Sequence, residues 1–274
     1  MDYCTTDDIL RNVGVTETQI NPTELAGMLK DAEAEVNRII KTTCNPKLEF
    51  LRTTGNNKRT YVLQKTPLLS IKGIKISGTD ISADNYTYDE TGFILLSDTA
   101  EQFFISATQP NVNIKYYYGW LEEEPDSNKI KTTQSDVTAG SSVEITLDSV
   151  DYLTLSDWVK IVGLDGKQEW TQIKSINATN KTITCELIYD HESGSSVFQG
   201  IIPPIIKKLT AVIGGIMGAA YMIGSTYDFV TGYTVPDFTV QKGEPYPAYV
   251  KIIDDLKRER DFLIGQLPSW PVFA

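Results

Sequence analysis

The stretch Val112–Trp120, reading V-N-I-K-Y-Y-Y-G-W, limits most strongly what this chain can fold into. Apolar and polar side chains alternate from Val112 to Ile114, and a tyrosine run follows until Gly119 stops it, as in a buried strand. The composition then changes abruptly. Leu121–Asp126 reads L-E-E-E-P-D, a charged linker that opens a second β-rich segment. A helix start suited to follow Gly119-Trp120 comes only at Ile201–Pro204. This spacing predicts one domain interrupted by another: a discontinuous body of residues 1–120 and 200–274, and an inserted β-domain of residues 121–199. It also predicts that Trp120 and Ile201 lie within two strand spacings, roughly 10 Å.

Charge follows the same division. The formal net charge is -11, and residues 121–199 hold 14 acidic and 6 basic side chains against 22 and 19 in the rest of the chain. The insert is therefore expected to face solvent and the body to be nearly neutral. A nucleic-acid clamp needs clustered cations, which this balance disfavours, although DNA could pass without being held. Lys58-Arg59 is a small basic group. Lys257–Arg260 shares its helix with Asp254, Asp255, Glu259 and Asp261 and reads as a solvated face. Cys4, Cys44 and Cys185 are odd in number and widely spaced, which predicts free thiols rather than a disulfide framework or zinc site. The start M-D-Y-C-T-T-D-D has neither a basic nor an apolar region of the secretory kind, so no signal peptide is expected.

Two helices are predicted before the first strand. Asp7–Asn12 has Thr6 placed as N-cap and Gly14 as stop. A longer helix opens with Asn21 as cap, Pro22 at the first position and Glu24 as a capping-box carboxylate. Its apolar stripe, Leu25, Leu29, Ala32, Val36, Ile39 and Ile40, faces a core or a neighbouring subunit. From Lys47 the period becomes two. Leu48–Thr53 and Arg59–Gln64 read as a hairpin around Gly55–Lys58, and Tyr86–Tyr88 and Phe93–Leu96 flank the turn Asp89–Gly92. Within residues 121–199, five or six short strands, with Asp165-Gly166 at a tight turn, suggest a compact barrel or sandwich.

Ile201–Gly224 returns to helix. Its uncharged part, Leu209–Gly224, is 16 residues long and holds four glycines. A membrane span needs about 20 apolar residues, so a buried or intersubunit helix is the better reading. Gly214-x-x-x-Gly218 would let another helix approach closely. Ser225–Tyr249 reads as an extended arm, and a last helix covers about 248–267. The apolar tail with Trp270 and Phe273 is read as offered to a partner. Candidate oligomer or partner contacts are thus Leu25, Leu29, Val36, Ile40, Gly214, Gly218, Trp270 and Phe273.

Chemistry is not evident. His191 is the one histidine, and Asp190-His191-Glu192 reads as a surface turn because neighbours on a strand point to opposite faces. Glu122-Glu123-Glu124 reads as a solvated linker. There is no nucleophile elbow, phosphate loop, dinucleotide fingerprint or zincin motif. No catalytic, metal-binding or cofactor-binding residue is assigned, and neither an enzyme nor a cofactor is expected.

A wider pattern lies in the order of short motifs. D-D-I-L stands at Asp7–Leu10, and A-x-x-x-V-x-x-x-I at Ala32, Val36 and Ile40. Tyr61–Ile74 is an apolar strand broken at Pro67 and resumed. Asp84–Leu96 matches D-x-Y-T-x-D-x-x-G-x-I-x-L, Val112–Trp120 matches V-x-I-x-Y-x-x-G-W, and Ile202–Lys208 supplies I-P-x-x-I-K. This order resembles the head–tail connector (adaptor) proteins of tailed bacteriophages over residues 1–120 and 201–225. In that family the last two motifs are contiguous, whereas here about 80 residues separate them.

The resemblance implies an α+β fold: a helical connector-like body with a small antiparallel sheet, interrupted by an inserted all-β barrel or sandwich. It implies a structural virion protein at the head–tail interface, assembled in the host cytoplasm. Twelve copies would form a ring under the portal protein, extend the DNA channel without specific binding or any membrane, and dock the next neck or tail protein. The insert would project toward a fibre or collar protein. The alternative is a binding module whose β-domain recognises a glycan or a protein.

Overall fold

The long N-terminal helix ends at Lys41, which adopts a left-handed conformation, and Pro46 precedes the first strand. The computed structural model describes residues 2–98, 104–105, 107–226, 232–235, 238–241 and 246–268. Among these residues no α-helix recurs between Ile40 and Pro204. Two compact units result, one of Met1–Lys41 with Pro203–Ser269 and one containing Thr42–Ile202.

The first unit holds four helices among its described residues: α1 (Thr6–Val13), α2 (Pro22–Ile40), α3 (Pro204–Thr226) and α4 (Tyr246–Gly265). The cap of α1 is Thr5 rather than Thr6. Asp8 makes the difference: its backbone N–H donates to the Thr5 hydroxyl, and its carboxylate accepts the Thr5 N–H, closing a capping box. Asn21 caps α2 through the Thr23 N–H, with Pro22 at the first turn. Ile9, Leu10, Val13, Ile20, Leu25 and Leu29 form the core with residues of α3.

Close approach of α1 to α3 depends on glycine. A Cβ at Gly214 would lie 2.6 Å from Ile9 Cδ1 and 2.7 Å from its Cγ1, and one at Gly218 would lie 2.9 Å from Val13 Cγ2. Residues 204–224 of α3 are long and apolar enough to cross a membrane by length and composition alone. Here that apolar surface packs inward: Ile206, Leu209 and Val212 are almost fully buried.

The second unit begins with β1 (Lys47–Thr53), β2 (Thr60–Val62), β3 (Leu68–Ile76), β4 (Thr79–Ile81), β5 (Tyr86–Tyr88), β6 (Phe93–Leu96) and β7 (Val112–Tyr118). These make an antiparallel sheet of order β1-β7-β3-β4 and a smaller one of order β2-β6-β5. Ile71, Ile74, Ile94, Phe104, Ile114 and Tyr116 lie in their common core. The expected hairpin of β1 with β2 does not form. β1 pairs with β7 and β2 with β6, because Gly55 passes against the backbone of Phe104 and Ile105 and sends the chain to the other sheet.

Next come β8 (Glu122–Glu123), β9 (Lys131–Thr132), β10 (Gly140–Thr146), β11 (Trp158–Val162), β12 (Gln168–Gln172), β13 (Ser175–Asn177), β14 (Thr182–Leu187) and β15 (Ser196–Ile201). A five-stranded sheet runs β12-β11-β15-β8, with β9 also on β15, and β10-β14-β13 makes a three-stranded one. Asp165-Gly166 turns β11 into β12, with Gly166 at φ 84°. Ile145, Val159, Ile161, Ile183 and Val197 fill the core between the sheets. A separate hairpin, β16 (Gly232–Val235) with β17 (Phe238–Gln241), precedes α4.

The expectation of a helical body carrying a small sheet is thereby corrected. Residues 47–201 contain fifteen strands in four sheets, and the protein is mostly β. The reason lies at the junction of the two β-segments. Leu69 and Tyr117 of the first pack with Leu121, Trp158 and Trp170, and the Tyr117 and Trp158 rings meet edge-on at 4.8 Å. Such a contact contributes about 0.5–1.5 kcal/mol beyond the area it buries. The sheet of residues 47–118 is joined to further sheets rather than subordinate to helices.

Two glycine substitutions should separate backbone from side-chain obstruction. A Cβ at Gly55 would come 2.1 Å from the Phe104 carbonyl oxygen. Because backbone cannot move aside cheaply, Gly55→Ala should lose about 3 kcal/mol or more. Gly214→Ala meets a deformable isoleucine and gains about 1 kcal/mol of helix propensity, so its net loss should be about 1–2 kcal/mol. Urea unfolding of both variants checks the order.

Candidate functional site

The second β-segment departs from the first at Gly119. Its φ is 152°, and a Cβ there would stand 3.0 Å from the Thr43 carbonyl oxygen and 3.1 Å from Pro46 Cα. Only glycine turns β7 this tightly against that segment. The Gly119 N–H donates to the Pro67 carbonyl at 2.9 Å and the Trp120 N–H to the Thr43 carbonyl at 2.7 Å. Two residues on, Glu122 and Glu123 pair antiparallel with Ile201 and Gly200. The chain leaves and returns at one place.

A cleft of about 340 Å³ lies beside this point. Leu69, Trp120, Leu121 and Trp170 give it an apolar side, while Asp89, Glu90, Glu122 and Glu169 give it four carboxyl groups against one amine, Lys160. That amine is engaged: Lys160 Nζ meets Glu123 Oε1 at 2.6 Å and lies 6.0 Å over the Trp170 ring. Asp89 is engaged too, accepting the Thr91 hydroxyl at 2.6 Å. Burial pushes the Glu122 carboxyl above its usual range, with no cation offsetting it.

Behind the cleft lies a buried polar group. Glu169 is 1% exposed, and its carboxylate accepts the Ile188 N–H at 2.9 Å and the Tyr189 N–H at 3.0 Å. His191 Nε2 stands 3.1 Å from Glu169 Oε1, and with two backbone donors already holding that carboxylate as an acceptor, Nε2 is the donor. Nδ1 is buried without a hydrogen-bond partner, 3.2 Å from where a Cβ on Gly163 would sit. Burial, and then the Glu169 charge, push the Tyr189 phenol up to about 12. Burial pushes Tyr86 and Tyr88 upward as well. Lys72 is held below its usual value, mainly by burial, with Glu186 opposing.

The expected surface turn at His191 is corrected: the ring is fully enclosed, and its carboxylate partner comes from β12, 22 residues away, rather than from Asp190 or Glu192. Asp190 instead accepts the Ala139 N–H. Strand parity gave no signal for it, since Glu169, Trp170 and Thr171 are buried in succession along β12. No group of three or more metal-ligating side chains occurs among the described residues.

Of the residues predicted as partner contacts, Leu25, Leu29, Val36 and Ile40 are buried within the chain. Gly214 and Gly218 serve the approach of α1 to α3. Trp270 and Phe273 lie outside the described residues. Exposed apolar groups occur elsewhere, among them Phe50 on β1 at 68% and, on the smaller sheet, Phe93 and Leu95 at 38% and 41%.

Glu169→Ala would strand the His191 ring N–H and two buried backbone donors, so it should cost about 3–5 kcal/mol in chemical unfolding. Glu169→Gln, which keeps an acceptor oxygen, should cost less. Alkali should also destabilise the protein. Burial pushes Cys4, Cys185 and Tyr189 up to about 12. The stability they contribute is complete below their unfolded values, about 8.5 for thiols and 10 for phenols, and is lost as pH rises through the folded values. Lys72 acts oppositely, but one amine stands against these three groups and the buried tyrosines. Unfolding midpoints should be steady to about pH 8 and fall between about pH 9 and 12.

No protein-family model matches the chain, and no curated protein matches it.

Proposed function

We propose that this protein is a structural component of the head–tail junction of a tailed bacteriophage, acting as an adaptor ring beneath the portal. The observation that carries the reading is the order of short motifs along residues 1–120 and 201–225, from Asp7–Leu10 through Val112–Trp120 to Ile202–Lys208. Pairing of Ile201 with Glu122 supports it, because an excursion of about 80 residues begins and ends at the same point of the sheet. The reading does not rest on a helical body. In it, twelve copies extend the DNA channel and dock the next neck or tail protein, and the second β-segment is available to a fibre or collar protein.

Physical features of the chain agree with that role. A channel wall must let phosphates slide, which suits the near-balance of charge outside residues 121–199. Neighbouring copies need apolar surface, which Phe50, Phe93 and Leu95 supply. The buried side of α3 leaves the membrane out of the proposal. A second reading, a module that recognises a glycan or protein through its β-segment, is favoured by the indole-lined cleft.

Negative-stain images of the purified protein, alone and with the portal protein of the same phage, test the first reading. Rings or added density on the portal are expected. A persistent monomer that binds neither portal nor neck proteins would remove it.

A further inference from the structure

We propose that the cleft between the two β-segments is a receptor for an arginine side chain presented by a partner protein. This goes beyond the adaptor reading and stands without it. Two independent features of the cleft converge.

The first is charge. Of the four carboxyl groups around the cleft, Asp89 is engaged in its own turn and Glu169 with His191. Glu122 and Glu90 make no side-chain hydrogen bond or ion pair among the described residues. A guanidinium would meet a site that has two uncommitted anions and no free cation, since Lys160 is already held by Glu123.

The second is the aromatic wall. Lys160 lies over the Trp170 ring, so this indole already receives one cation, and Trp120 also lines the cleft. A planar guanidinium stacks on indole faces while its edge N–H groups reach carboxylates, which an ammonium does less well. About 340 Å³ accommodates one long side chain with its stem along Leu69 and Leu121.

The test uses the full chain and a blocked tripeptide, acetyl-Gly-Arg-Gly-amide, with binding followed by the indole N–H resonances. Saturable shifts are expected. The citrulline peptide, which keeps the shape and loses the charge, should bind at least about tenfold more weakly, the loss of about 1.4 kcal/mol. Glu122→Gln should weaken arginine binding by a similar factor, and Glu90→Gln serves as a second variant should the first not fold. Glu124→Gln, outside the cleft, should leave binding unchanged. Equal binding of the citrulline peptide, no saturable shift, or no effect of either cleft variant would overturn the proposal. Spermidine competing at equal or lower concentration would overturn it too, by assigning the cleft to a free polyamine. Ring formation is read separately by imaging, so neither result decides the other.

Discussion

Two rings meeting edge-on, Tyr117 at the end of β7 and Trp158 at the start of β11, hold together what would otherwise be two small β-proteins. Around them Leu69, Leu121 and Trp170 close an apolar seam, and Lys72 reaches across it to the Glu186 carbonyl at 3.4 Å. Each β-segment has its own core, but neither core covers this seam. Separating the segments would expose two indoles and break the contact of Lys72 with Glu186. The cleft lies beside that contact, lined in part by the same Leu69, Leu121 and Trp170.

Much of the local structure was legible from residue order. Asn21-Pro22, Gly14, Asp165-Gly166 and Asp89–Gly92 each have a short-range physical reason to start, stop or turn, and the chain obeys them. Pairing was less legible. β1 and β2 are neighbours with a loop of hairpin composition, yet each chooses a partner dozens of residues away, because a close backbone crossing at Gly55 outweighs the loop's own preference. Sequence period cannot report a crossing between segments so far apart.

The site shows the same limit. Gly119 and Trp120 were identifiable as a point of departure because a strand pattern stops there. The pairing of Glu169 with His191 was not, since it requires knowing that β12 and the turn after β14 face each other. The glycines of α3 were expected to admit a partner; within the chain the close neighbour is α1, a pairing that depends on tertiary packing.

The ladder between β8 and β15 has a mechanical consequence. It consists of the pairs Glu122–Ile201 and Glu123–Gly200, extended by the Glu124 N–H to the Gln199 carbonyl. Because the strands are antiparallel and both ends of the excursion emerge together, tension that draws the second segment away from the first loads these bonds one after another, as in a zipper. A sheet pulled along its strands would share the load among all its bonds at once. The protein would therefore yield first at this short ladder, and the seam of Tyr117, Trp158 and Trp170 is what keeps ordinary thermal forces from reaching it.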